Sequence, residues 1–141
     1  MPEDNVTVIR GAFDAFNRGD IPQVVGVLEP DVAWHNPEAP YPPPAGGGTQ
    51  HGADQVLAAI FGPVPETWDE FQAVGERFLD AGDHVIVTGR FTGRAKAGGG
   101  QLDARFAIVF EMRAGRVKRV DQYTDTVPVA RALGQSVAPG P

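Results

Sequence analysis

Between residues 101 and 113 the chain alternates with a period of two. Phe106, Ile108, Phe110 and Met112 fall on one side, and Arg105, Ala107, Val109 and Glu111 on the other. A segment that keeps this rhythm forms a strand with one apolar face, and that face must be covered. Similar runs surround it, so residues of roughly 70–80, 84–95, 101–113 and 116–124 read as an antiparallel meander. Its turns fall at Ala81-Gly82-Asp83, Gly98-Gly99-Gly100 and Ala114-Gly115. The cover comes from the N-terminal third, where Val6, Ile9, Phe13 and Phe16 keep the three-to-four spacing of a helix face and Gly19 ends it. Asp20 caps a second helix with Pro22 in its first turn, Ile21, Val24, Val25 and Leu28 as its stripe, and Pro30 as its stop. Val32 to Asn36 reads as a short strand broken by Pro37. A third helix puts Val56, Leu57, Ile60 and Phe61 on one side before Gly62-Pro63, and a last one starts near Asp125, which caps it through its carboxylate. Helices followed by a meander predict one α+β domain over residues 1–141, its sheet curled around the helices as a cone with an apolar cavity.

Several function classes fall away. There is no cysteine, hence no disulfide framework or thiolate nucleophile. The three histidines, His35, His51 and His84, lack ligand spacing, so no metal is expected. The glycine runs are not followed by Lys-Ser or Lys-Thr, which removes a phosphate loop. Residues 1–83 hold 3 basic and 14 acidic groups, against 9 and 4 in residues 84–141. The basic half alternates with apolar residues, which describes a charged sheet face, and the net charge of −6 argues against nucleic acid. No apolar run reaches a membrane span and no signal pattern opens the chain, so a cytoplasmic protein is expected. The Pro- and Gly-rich stretch 37–50 reads as a loop, and residues 38–50 as a mobile flap at the cavity mouth with Tyr41 closing over a ligand.

The segments FNRGDIPQVVGVLEPDVAWHNP (16–37), HGADQVLAAIFG (51–62), VIVTGRF (85–91) and GRVKRVDQYTDT (115–126) resemble the nuclear transport factor 2-like superfamily. The resemblance spans about residues 5–134 and is nearest to the ketosteroid isomerase-related, SnoaL-like (polyketide cyclase-like) branch. It implies a cone-shaped, cystatin-like fold with helices on a curved, mainly antiparallel sheet. It does not carry one activity, because the superfamily holds isomerases, cyclases, hydrolases, dehydratases and binders. The acid–base set of the ketosteroid isomerases falls on Ala12, Asn36 and Ile108, none of which can move a proton or donate to an enolate. The water-holding set of the limonene epoxide hydrolases falls on Trp34, Asn36, Gly89, Phe91 and Gln122, with an amide where the base should be. The polyketide cyclases point loosely to His35, Asp121 and Asp125.

The resemblance also orients the strands. With Asn36 inward, Trp34 follows and His35 turns out, unless a bulge before Pro37 brings it in. On the last strand Gln122 and Thr124 face inward, and Asp121 and Tyr123 outward. The expected lining is then Phe13, Phe16, Trp34, Phe61, Phe91, Phe106, Ile108 and Phe110, with Tyr41 and Thr124 as further ligand contacts. Asn36 and Gln122 are expected to face each other across the cavity floor and hold a substrate oxygen or a water, with His35 as a candidate base. The function expected is a small, cofactor-independent acid–base enzyme of isomerase, cyclase, dehydratase or hydratase type, acting on a hydrophobic, polyketide- or terpenoid-like molecule. The alternative is a non-catalytic binding or assembly module. A homodimer through the outer sheet face is expected in either case.

Overall fold

The computed structural model describes residues 4–36 and 48–135. Its elements are α1 (Asn5–Asn17), α2 (Ile21–Gly26), β1 (Leu28–Asn36), β2 (Gly48–His51), α3 (Ala53–Val56) continued by a π-turn (Leu57–Phe61), α4 (Val64–Thr67), β3 (Trp68–Ala81), β4 (His84–Ala95), β5 (Gln101–Arg113), β6 (Arg116–Thr124) and α5 (Thr126–Ala132). The six strands form one sheet in the order β2-β1-β6-β5-β4-β3, antiparallel except for the parallel pair β1–β6. The meander thus ends beside the first strand, and helices α1 to α4 and α5 cover its concave face. Among the described residues no helix is long and apolar enough to cross a membrane.

Local chemistry sets the joints. Asp4 caps α1 and Asp20 caps α2, each accepting a backbone N–H three residues on. Asn17, the last residue of α1, clips the helix onto β3 through both amide atoms, donating to the Ala73 carbonyl and accepting from the Ala73 N–H at 2.9 and 2.8 Å. The Gly75–Arg77 stretch carries a register shift in the β3–β4 ladder, and Gly75 lies opposite Gly89. Such a bulge bends the sheet. Glu29, buried at the start of β1, takes a two-pronged ion pair from Arg113 at the end of β5, which ties the meander to the first strand.

Four local expectations are corrected. Helix α2 stops at Gly26, and Pro30 lies within β1. The β1–β6 register slips between Leu28 and Ala33, where a residue without an N–H does no harm. Residues 48–50, read as the end of a loop, join His51 in pairing with β1 from Ala33 to Asn36; the remainder of the expected flap, with Tyr41, lies outside the described residues. Leu57 is exposed, not buried with Ile60 and Phe61. The π-turn, closed by the Gly62 N–H on the Leu57 carbonyl, widens the helix by one residue. That rotation swings Phe61 inward and leaves Leu57 outside. Asp125 stands at the N-cap of α5 but its carboxylate makes no capping bond. Its backbone N–H goes instead to the Arg105 carbonyl at 2.9 Å, which seats α5 against β5.

Candidate functional site

The concave face of the sheet and the helices over it enclose a cavity of about 100 Å³. Helices α1 and α2 supply Ala12, Phe13, Phe16 and Val24, followed by Val27 and Leu28. The π-turn and α4 add Ile60, Phe61 and Val64, and α5 adds Val129. The sheet contributes Trp34, Trp68, Phe71, Ala73, Phe91, Leu102, Ile108, Phe110 and Gln122. None of these side chains is ionisable, and apart from the indole N–H groups of Trp34 and Trp68 the amide of Gln122 is the one polar group among them. The rings form a connected path. Phe91 lies 5.4 Å from Phe71, Phe71 and Phe61 each lie 5.9 Å from Phe16, and Trp34 stands edge-on to Phe61 at 5.5 Å. Offset and edge-to-face pairs of this kind hold one another in place beyond their burial alone.

Gln122 is oriented by its neighbours. The Trp34 indole N–H donates to Gln122 Oε1 at 3.3 Å, and Gln122 Nε2 donates to Thr124 Oγ1 at 3.2 Å. The chain of donors therefore runs one way, from the cavity wall through the amide to Thr124.

The residues singled out from the sequence separate into groups. Phe13, Phe16, Trp34, Phe61, Phe91, Ile108, Phe110 and Gln122 bound the cavity. Phe106 is buried on the same face of β5, 4.5 Å from Phe91, but does not bound the cavity, and neither does Thr124, which is hydrogen-bonded to Gln122. Asn36 is inward and 2% exposed but does not bound the cavity. It does not face Gln122 across a floor. Trp34 pairs with Val120 and His35 with Asp121 in the parallel ladder, so Asn36 and Gln122 come side by side at the ends of neighbouring strands.

His35 lies on the outer face, where its Nδ1 meets Thr49 Oγ1 at 2.9 Å; β1 keeps its alternation to Asn36, so no bulge turns it in. Asp121 is likewise outward, gripped by Arg119 through two bonds of 2.9 and 3.0 Å. That contact raises the Arg119 pKa, by hydrogen bonding first and charge second. His51 contributes its backbone N–H to Gln55, and His84 pairs with Asp83 at a surface turn. Among the described residues no three His, Asp or Glu side chains gather into a metal-binding group.

Trp68, Phe71 and Ala73 are lining residues that simple alternation misses. Glu70 adopts a positive φ of 55°, and the β3–β4 register shifts between Asp69 and Gln72. The irregularity brings residues spaced three and then two apart to the same face.

The SnoaL-like domain family matches residues 9–120, from within α1 to within β6. An uncharacterised protein of Mycobacterium tuberculosis is 29% identical over 125 residues, covering 87% of this chain and 91% of its own length. An NTF2-like protein from Burkholderia thailandensis shares the fold with a TM-score of 0.84 at 28% identity, over 93% of this chain and 98% of that one. TerC, crystallised with polyporic acid, is similar in fold, with a TM-score of 0.81 at 24% identity over 93% of this chain and 98% of its own. The family match takes in every element around the cavity but α5, the last of them, β6, as far as Val120, and on that extent the chain belongs to the SnoaL-like domain family.

Proposed function

We propose that this protein binds one small, mainly apolar molecule of about one ring in size, and orients it by a polar atom placed at Gln122. The observation that carries this reading is the lining itself: eighteen apolar side chains and one amide, with no ionisable group among the described residues. An apolar pocket with a single oriented polar group is a recognition site, and its size is of the order of cavities that take up benzene. The contacts proposed are Phe16, Trp34, Phe61, Phe91, Ile108 and Phe110. Titration followed by Trp fluorescence tests it, since Trp34 and Trp68 both bound the cavity. Gln122→Leu should weaken binding of an oxygenated ring by about tenfold or more. Affinity should stay flat between about pH 5 and 8, the range in which a histidine at the site would titrate. A sigmoidal pH dependence would defeat the reading.

The second reading keeps the same ligand and adds the cofactor-independent isomerase or cyclase chemistry of the family, which the SnoaL-like match favours. His35 and Asp121 are turned away from the cavity and engaged by Thr49 and Arg119, so among the described residues neither candidate reaches the ligand, and a group of the substrate itself would move the proton. Turnover of an oxygenated monocycle by the purified chain, lost in Gln122→Leu, would decide for it.

The outer face of β4 to β6 is the proposed seat of a homodimer. It presents Arg90, Arg105, Glu111, Arg119 and Asp121 around Ala107 and Val109, with Tyr123 58% exposed at one end. Interleaved charges of both signs suit a two-fold contact, where they fix register. Sedimentation should give twice the chain mass at tens of micromolar; a 15.0 kDa species there would rule the dimer out.

A further inference from the structure

The run Gly98-Gly99-Gly100 between β4 and β5 divides into two roles. Gly98 and Gly99 have positive φ of 86° and 69°, and a methyl group on either would meet nothing within 4 Å. They make the turn. The φ of Gly100 lies outside the left-handed region, so its backbone angle does not ask for glycine. Its space does. A methyl group there would lie 2.2 Å from the Ala132 carbonyl oxygen, 2.9 Å from the carbonyl carbon and 3.0 Å from Cα, all backbone atoms of the last residue of α5.

This contact places a wall of the cavity. The hairpin on its side is tied down, with the Ala95 N–H on the Gly100 carbonyl at 2.8 Å, the Lys96 N–H on the Thr67 carbonyl of α4 at 3.0 Å, and Leu102 and Ala104 buried. A side chain at 100 would therefore be relieved by movement of α5. The start of that helix is fixed on β5 by the Asp125 N–H and the Arg105 carbonyl. Helix α5 thus lies along β5 between two seats, Arg105 and Gly100. Val129, one turn before Ala132 and on the same face, is 2% exposed and bounds the cavity together with Leu102.

We infer that α5 sets the size limit of the ligand, with Val129 as the side chain that keeps out a second ring and Gly100 as the positioning residue that seats it. The inference rests on the binding reading above and narrows its ligand to single rings, fused bicycles being refused. Phe91, Phe71, Phe16, Phe61 and Trp34 brace one another in a connected path. Room made by shortening Val129 therefore stays open instead of being filled by a neighbouring ring.

Benzene and naphthalene, titrated into the full chain and followed by amide chemical shifts, test it. The parent should bind benzene about tenfold or more tightly than naphthalene. Val129→Ala should keep benzene and lose most of that preference by gaining naphthalene. Gly100→Ala leaves every lining side chain in place and should lower the preference in the same direction. Val127→Ala, on the same helix but 37% exposed and outside the lining, should keep the parent's ratio. A Val129→Ala protein with the parent's ratio overturns the inference and leaves the binding reading standing. So does a Val127→Ala protein that loosens the ratio as far as Val129→Ala does. A parent that binds the two rings alike overturns the inference too, and a folded Gly100→Ala protein with the parent's ratio overturns the part given to Gly100. Failure of the parent to bind benzene overturns both the inference and the binding reading. Val129→Ala decides the matter even if Gly100→Ala fails to fold.

Discussion

Gly89→Ala should destabilise the fold severely. Gly89 lies in the middle of β4, opposite Gly75 of β3, where the ladder slips to make the bulge that bends the sheet. A methyl group built on Gly89 would lie 1.9 Å from the Val74 carbonyl oxygen and 3.0 Å from its carbon. Both are backbone atoms of a paired strand, so no side chain can swing aside. Relief requires β3 to move off β4, and β3 carries Trp68, Phe71 and Ala73 of the cavity as well as the Asn17 clip to α1. Overpacking of this kind costs about 3 kcal/mol or more, against a total stability of roughly 5–15 kcal/mol for an ordinary domain. Gly11→Ala is the control. Gly11 is inside α1 with nothing within 4 Å of a methyl group, so that change should stabilise by about 0.5–1 kcal/mol. Denaturant midpoints measure both. A Gly89→Ala protein that unfolds with the parent would mean that the bulge is not what fixes the approach of β3 to β4.

The parts of this fold that show in the sequence are those whose signal is local. Strand β5 announces itself because Phe106, Ile108, Phe110 and Met112 alternate with polar or smaller residues, and β4, β5 and β6 fall on the residues that this rhythm and its turns predict. Helices α1 and α2 are legible from the spacing of Val6, Ile9, Phe13 and Phe16, from Gly19, and from Asp20 and the spacing behind it, though Pro30 misled the end of α2 because a strand was already running through it. What was hidden depends on partners distant in sequence. Strand β2, with the sequence GTQH, carries no apolar alternation and exists because β1 offers it an edge. The π-turn changes which face Leu57 occupies without altering a residue type, so periodicity of 3.6 places Leu57 inside where the structure has it out.

The same division runs through the candidate site. Phe13 and Phe16 are legible from helical spacing, and Ile108 and Phe110 from strand alternation. Trp68 and Phe71 are not, because the positive φ at Glu70 breaks the parity by which a strand is read. Parity did argue His35 outward, and it is outward. The relation of Asn36 to Gln122 was beyond parity altogether. Two inward residues on different strands face each other or stand side by side according to strand order, and here the order puts β6 beside β1. A pair expected to clasp a ligand between them thus stands on one side, with Gln122 alone of the two bounding the cavity.

Trp34 joins the stability of the cone to its polarity, and its two truncations should separate them. The indole is buried, stands edge-on to Phe61 at 5.5 Å, and gives its N–H to Gln122. Trp34→Ala removes the ring from both, and loss of a buried aromatic should cost about 3–5 kcal/mol of stability. Trp34→Phe keeps a ring on Phe61 and removes the donor alone. Stability should then fall by less, about 1–3 kcal/mol, the cost of a buried polar contact broken on one side. The binding effect should not follow the stability effect. Without the indole N–H the Gln122 amide is no longer fixed from the Trp34 side, so an oxygenated ring should bind about tenfold or more weakly to Trp34→Phe, while benzene should bind about as it does to the parent. Thermal melts and titrations on the two variants provide the comparison. If Trp34→Phe binds both rings as the parent does, the cavity selects by shape alone and the oriented amide has no part in recognition.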